Sequence, residues 1–172
     1  MPTEVQGDDV DVRHELVSLI PRLRRFGQTL TGNMQDSDDL VQGAIERALK
    51  NLKQWKGGTR LDSWMFRIMQ NLWIDQCRAN KRCGISVPID ELYGLSSEDG
   101  RKTTENQLMV RQVEHAIAAL PEEQRSLVAL VLVEGLSYSE ASHILDVPMG
   151  TVMSRLARAR KTLVMQLLPG DE

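Results

Sequence analysis

Apolar residues recur at three- and four-residue spacing through most of this chain, a period that predicts helices packed side by side. From residue 12 to about 31, Leu16, Leu19, Ile20, Leu23, Phe26 and Leu30 share one side of a helix; Pro21 has no amide hydrogen to donate and is expected to kink or interrupt it. A second helix, DSDDLVQGAIERALKNL, is expected to be capped by Asp36 or Ser37. Its acids Asp36, Asp38 and Asp39 lie near the positive end of the helix dipole, and Lys50 and Lys53 near the negative end. Gly43 inside it is locally unfavourable by about 1 kcal/mol relative to Ala, which fits either a close backbone approach or simple tolerance. A third helix, from about Leu61 to Arg82, places Leu61, Trp64, Met65, Ile68, Met69, Leu72 and Trp73 on a core-facing stripe.

Near the C-terminus the same period is broken by a tight turn. In GLSYSEASHILDVPMGTVMSRLARARKTL, which ends at Leu163, Ser137 and Glu140 form a capping box, and Ala141, Ile144 and Leu145 give a short helix an apolar face. Asp146-Val147-Pro148 ends it. Pro148 and Gly150 open a second helix with Val152, Leu156, Leu163 and Leu167 inward and Ser154, Arg155, Arg158 and Lys161 outward. A tight turn before a cationic helix is the pattern of a DNA-reading helix-turn-helix; a solvated amphipathic helix in a bundle is the plainer alternative.

Seven aromatics in 172 residues and 41% apolar content favour an all-α protein packed through aliphatic side chains. The chain divides into an acidic tail at 1–11, a first module at 12–82, a linker at 83–104 broken by Gly84, Pro88, Gly94 and Gly100, a second module at 105–168 and a short tail at 169–172. The linker's apolar residues leave open whether part of it docks on a partner or packs on its own domain. Net charge is −3, yet residues 12–82 carry thirteen Lys/Arg against seven Asp/Glu. In residues 105–168, four of the six cations fall on the second helix of the turn motif. Cationic faces on an acidic chain suit specific docking on nucleic acid better than indiscriminate coating.

Catalysis has no residues to rest on. Cys77 and Cys83 lack a paired CxxC or a nearby histidine, and His14, His115 and His143 are scattered, so neither a metal nor another cofactor is expected. There is no phosphate-cradling glycine loop and no nucleophile motif. An acidic N-terminus without a signal-peptide core, and no long apolar run, predict a cytoplasmic protein with no membrane insertion. Around the loop WKGGTR, however, Trp55, Trp64, Phe66 and Trp73 interleave with Lys53, Lys56, Arg60, Arg67 and Arg78. Flat faces beside cations suit single-stranded nucleic acid, and core tryptophans beside solvated cations are the competing reading.

Three ordered blocks, DSDDLVQGAIERAL, WKGGTRLDSWMFRIMQNLWIDQCRANKR and LPEEQRSLVALVLVEGLSYSEASHILDVPMGTVMSRLARARKTL, cover nearly the whole chain. Together they resemble the two-domain extracytoplasmic-function (ECF, group IV) sigma factors of the sigma-70 family, and the opening ELVSLIPRLRRF is similar to general-stress members from alphaproteobacteria. The resemblance implies a sigma2-like domain at 12–82 that grips core RNA polymerase and opens the minus-ten promoter element. It implies a sigma4-like domain at 105–168 that reads the minus-thirty-five element as duplex, and an anti-sigma factor as a further partner.

By motif position, Asp39, Leu40, Val41, Gln42 and Arg47 fall where such proteins contact the polymerase clamp, with core packing an equal alternative for Leu40 and Val41. Asn71 matches the position lining the pocket for a flipped minus-ten base, and Lys56, Gly57, Gly58, Thr59, Arg60 and Phe66 would complete that pocket. Met153, Ser154, Ala157 and Arg158 match positions facing the minus-thirty-five bases, with Arg155 and Lys161 nearer phosphates. Met153 stands where the pattern often has a cation, and Gly43 where an acid is common. Two other functional readings fit the residues alone. One is a polymerase-independent helix-turn-helix regulator with an N-terminal dimerisation or sensing domain; the other is an interaction adaptor that has lost DNA contact.

Overall fold

The computed structural model describes residues 6–55, 59–85 and 104–168, with side chains from residue 11 onward. Residues 86–103 of the expected linker and the tail at 169–172 lie outside them. The first half is α1 (Gln6–Thr31), α2 (Met34–Lys50), a 3-10 turn at Leu52–Gln54 and α3 (Leu61–Arg82). The second half is α4 (Glu105–Ala118), α5 (Glu122–Leu127) running on as a π-helical segment at Val128–Val133, α6 (Tyr138–Leu145) and α7 (Met149–Leu167). Among the described residues there is no strand.

Leu16, Leu23, Phe26 and Leu30 of α1 close over Leu40, Ala44 and Ala48 of α2 and Leu61, Met65 and Met69 of α3. α1 runs unbroken through Pro21, so the expected interruption does not occur. Pro21 removes the donor for the Val17 carbonyl, but both residues lie on the exposed face, where water can replace it. The cap of α2 is also not the expected one. Asn33 Oδ1 accepts the Asp36 N–H at 2.8 Å, whereas Ser37 is buried and donates its hydroxyl to the Arg24 carbonyl at 2.9 Å.

That buried Ser37 sits at a close approach of α1 and α2. A Cβ on Gly27 would stand 2.6 Å from Ser37 Oγ and 3.2 Å from Met69 Cε, so only glycine fits there. Gly43 is different. A Cβ there would meet only Leu72 Cδ1 at 3.8 Å, an ordinary contact, which decides its two readings in favour of tolerance.

In the second half the capping box forms as read: the Glu140 N–H donates to Ser137 Oγ at 3.2 Å, and the Ser137 N–H to the Glu140 carboxylate at 2.8 Å. Asp146 ends α6 in the left-handed region at φ 53°, and Ser142 Oγ donates to the Val147 carbonyl at 2.6 Å across the turn. α7 then lays Val152, Leu156 and Ala159 into the core, with Leu163 and Leu167 half-buried.

The linker composition leaves the placement of the two halves open, and the structure packs them together. α1 contacts α4, α5 and the π-helical segment, while α3 contacts α6. One apolar core runs from Val12 to Ala159.

Candidate nucleic-acid interface

The face of α7 opposite Val152, Leu156 and Ala159 carries Met153, Ser154, Ala157, Arg158 and Lys161, all exposed. Their offsets of 1, 4, 5 and 8 residues from Met153 set them in one strip along the helix. Arg158 Nε donates to the Ser154 carbonyl at 3.3 Å, which lays the guanidinium along that strip. Arg155 sits off it: its side chain is mostly buried and pairs with Glu123 at 3.0 Å.

On α3, Asn71 is exposed in a cleft of about 550 Å³ whose walls include Arg47, Arg78, Ile144, Val147 and Arg155, so residues of both halves line it. A second cleft of about 500 Å³ is bounded by Thr59, Arg60, Trp64 and Arg67 on one side and Glu140 and His143 of α6 on the other. Lys56, Gly57 and Gly58 lie outside the described residues. Phe66 does not line either cleft. It is fully buried, its ring 4.8 Å from that of Phe26 and capped by the Arg22 guanidinium at 5.3 Å. Trp73 is buried likewise, under Arg125 at 5.6 Å, and Trp55 and Trp64 are half-buried against the core, so all four aromatics around the loop contribute to packing.

The α2 residues also separate. Asp39, Gln42 and Arg47 are exposed, whereas Leu40 and Val41 are buried in the core. Gln42 Nε2 reaches Glu46 at 3.4 Å on the same face.

Sequence spacing gave no sign of the charge network joining the halves. The Glu134 side chain is wholly enclosed, and its carboxylate accepts Arg22 Nε at 3.1 Å, Arg25 Nε at 2.8 Å and Arg25 Nη2 at 3.1 Å. Arg22 Nη1 continues to Asp62 at 2.9 Å, Asp62 to Arg60 at 2.7 Å, and Arg60 to Glu140. Burial raises the Asp62 carboxyl, but hydrogen bonds from Arg60 and Arg22 and the Ser63 N–H outweigh it and hold the group down at about 2. The Ser137 N–H and hydroxyl hold Glu140 below the usual carboxylate range. Elsewhere across the junction, Gln70 Nε2 donates to Ser126 Oγ at 2.6 Å and Arg125 Nη1 to the Leu30 carbonyl at 2.9 Å; Arg125 Nη2 also donates to the Leu120 carbonyl of its own half at 3.0 Å.

None of these groups is arranged for covalent chemistry. Burial, with the Glu122 charge, pushes the Cys77 thiol up to about 11, far from a thiolate at neutral pH. Among the described residues no three His, Cys, Asp or Glu side chains could together hold a metal ion, and no helix is long and apolar enough to cross a membrane.

The sigma-70 region 4 family matches residues 110–163, the segment that carries the helix-turn-helix, and the sigma2 domain of PhyR matches residues 16–70. Over 152 residues the chain is 33% identical to the ECF RNA polymerase sigma factor EcfG of Rhodopseudomonas palustris, spanning 88% of this chain and 82% of that one. The chain belongs to the ECF RNA polymerase sigma factors. The sigma-E factor of Escherichia coli K12 is 30% identical over 169 residues, covering 93% and 84% of the two chains. Among solved structures, the sigma factor RpoE of Bartonella quintana, in complex with the anti-sigma factor NepR, superposes with a TM-score of 0.74 at 28% identity, over 91% of this chain and 96% of that one. This sigma factor therefore has the all-α, two-domain fold of its family and directs promoter-specific transcription initiation by RNA polymerase. The polymerase-independent regulator and the adaptor give way to that reading.

Proposed function

We propose that the two domains of this sigma factor, 12–82 and 105–168, divide the promoter between them and act in the cytoplasm, where core polymerase and DNA meet. The exposed α7 strip carries the reading. A polar, cationic helix face backed by a buried apolar one can enter a major groove, where Arg158 offers guanine O6 and N7 a bidentate partner. Met153 suits a thymine methyl, and Ser154 and Ala157 leave room for the helix to approach base edges. Lys161 and Arg155 are placed for phosphates, Arg155 after leaving Glu123.

Asn71 serves the minus-ten element. An exposed amide both donates and accepts, as an extruded base edge requires, and Thr59 and Arg60 lead from the neighbouring loop toward the same side of α3. Phe66 supports that surface from the core and does not stack on a base. The clamp-facing surface of α2 is Asp39, Gln42 and Arg47, with Leu40 and Val41 holding the helix down.

Control by an anti-sigma factor follows the family, since the RpoE relative was solved with NepR. Leu108, Met109 and Val110 on α4 and Val164, Met165 and Leu168 at the end of α7 are all more than half exposed, an apolar surface that a partner helix could cover.

In vitro transcription with purified core polymerase on a promoter library tests this assignment. Start-site-specific transcripts are expected only when the protein is added, and Asn71→Ala should impair open-complex formation more than closed binding. Absence of such transcripts, or equal loss of both steps in Asn71→Ala, would overturn the corresponding assignment.

A further inference from the structure

The alternation Arg25, Glu134, Arg22, Asp62, Arg60, Glu140 runs from α1 of the first domain to α6 of the second, changing sign at every step. Both glutamates belong to the duplex-reading half; all three arginines and Asp62 belong to the other. From this relay we infer that Glu134 and Glu140 act as an internal latch. They hold the free sigma factor closed by occupying guanidinium groups on the melting side, and so keep single-stranded DNA from α3 without a second protein. The inference rests on the assignment of that α3 face to the minus-ten strand.

Three observations carry it. First, Glu134 is the most enclosed acid of the network, taking three N–H donors from two arginines that lie 109 and 112 positions away in the chain. A carboxylate removed from water needs such partners, so the contact is formed fully or not at all. Second, the backbone around Glu134 is shaped for the contact. The π-helical turn at Val128–Val133 ends one residue before it, and Gly135 at φ 72° turns the chain away one residue after. Irregular turns of this kind recur at functional positions in helices. That bend sets α6 on α3, where Glu140 meets Arg60.

Third, the covering is selective. Asn71, Arg60 and Arg67 open into clefts bounded on their far side by Glu140, His143, Ile144 and Val147, while the α7 strip from Met153 to Lys161 stays exposed. A strand of DNA would have to enter where α6 now sits. The closed chain can therefore touch a duplex but not the melted strand. Its latch offers carboxylates to the same guanidiniums that phosphates would otherwise meet.

The test uses the full chain in three variants. Glu134→Gln keeps the shape and removes the charge. Arg25→Gln attacks the same contact from the other side, on a side chain that is more than half exposed. Asp38→Asn removes an equal charge from a pair within the first domain, Arg24 to Asp38 at 2.8 Å, and serves as the control. Small-angle X-ray scattering should show expansion for Glu134→Gln and Arg25→Gln and none for Asp38→Asn, with helix content by circular dichroism unchanged in all three.

A fluorescent pool of random single-stranded oligonucleotides about 15 nucleotides long should bind Glu134→Gln at least about fivefold more tightly than wild type, and Asp38→Asn much less so. Compact scattering from both latch variants overturns the latch. Expansion without tighter binding overturns its inhibitory role, as does equal tightening in the control. Should Glu134→Gln lose helix content, Arg25→Gln decides the scattering arm. Transcription by the wild-type chain with saturating core polymerase is scored in parallel: transcripts with no expansion refute the latch alone, and their absence refutes the promoter assignment whatever the scattering gives.

Discussion

Replacing Gly27 with alanine puts a methyl group into the close crossing of α1 and α2. The new carbon would lie 2.6 Å from Ser37 Oγ, 3.2 Å from Met69 Cε and 3.4 Å from the Ser37 carbonyl oxygen. Met69 ends in a flexible thioether that can yield, but Ser37 is tied to α2 by its backbone and to α1 by its hydrogen bond to the Arg24 carbonyl. Overpacking of this kind costs about 1 to 3 kcal/mol, and displacing the Ser37 hydroxyl forfeits a hydrogen bond worth about 0.5 to 1.5 kcal/mol. Against this, alanine is better than glycine inside a helix by about 1 kcal/mol. The expected net loss is about 1 to 3 kcal/mol. Gly43→Ala has the same helix gain and no clash, so it should stabilise by about 0.4 to 1 kcal/mol. Urea unfolding of both variants, followed by circular dichroism at one protein concentration, reads the two signs side by side. A Gly27→Ala protein as stable as wild type would refute the reasoning, because it would mean the crossing can widen freely.

Three further outcomes are expected. Arg158→Ala should weaken discrimination at one minus-thirty-five base by about 1 to 3 kcal/mol, read as relaxed selectivity in a promoter-library transcription assay; unchanged selectivity counts against the contact. Asp62 titrates near 2 when folded and near 3.8 otherwise, so its stabilisation of about 2 kcal/mol is complete above about pH 4 and is lost as pH falls toward 2. The stability gap between wild type and Asp62→Asn should close over that interval, and parallel pH curves would contradict it. Asp146→Gly should raise stability by up to about 1 kcal/mol by relieving the left-handed backbone at φ 53°, seen as a higher urea midpoint with the α7 surface unaltered.

What could be read from the sequence was local and periodic. The ends of α3 at Leu61 and Arg82, the Ser137 capping box and the buried side of α7 follow from residues within two helical turns of one another. The misplaced expectations concern which helix faces meet other helices. Phe66 follows Met65 directly, so it stands off a stripe that already faces the core. It is buried because its ring packs against Phe26 of α1 under the Arg22 guanidinium. Leu40 and Val41 are adjacent and both buried for a related reason, since α2 lies against α1 and α3 at once. The Asn33 cap lies upstream of Asp36 and Ser37, which offer side chains of the same capping kind. The Glu134 network was out of reach, its partners being more than a hundred residues apart.

The chemistry of the junction bears on how a packed pair of domains can still come apart. Across it, Gln70 meets Ser126, Arg125 meets the Leu30 carbonyl, and Glu134 meets two arginines. Each of these groups regains water when the junction opens, so a neutral hydrogen bond contributes only about 1 kcal/mol net to keeping it shut. Apolar contact is less forgiving, because every exposed side chain adds its full transfer cost. The apolar core that also spans the junction resists opening, whereas the polar part can be stable in the free protein and still yield to competitors that supply equivalent partners. DNA phosphates can do that for the arginines, and a polymerase surface can do it for the rest. Hence neutralising Glu134 should shift the balance toward opening far more than truncating an exposed apolar residue such as Val164, which lies outside the junction.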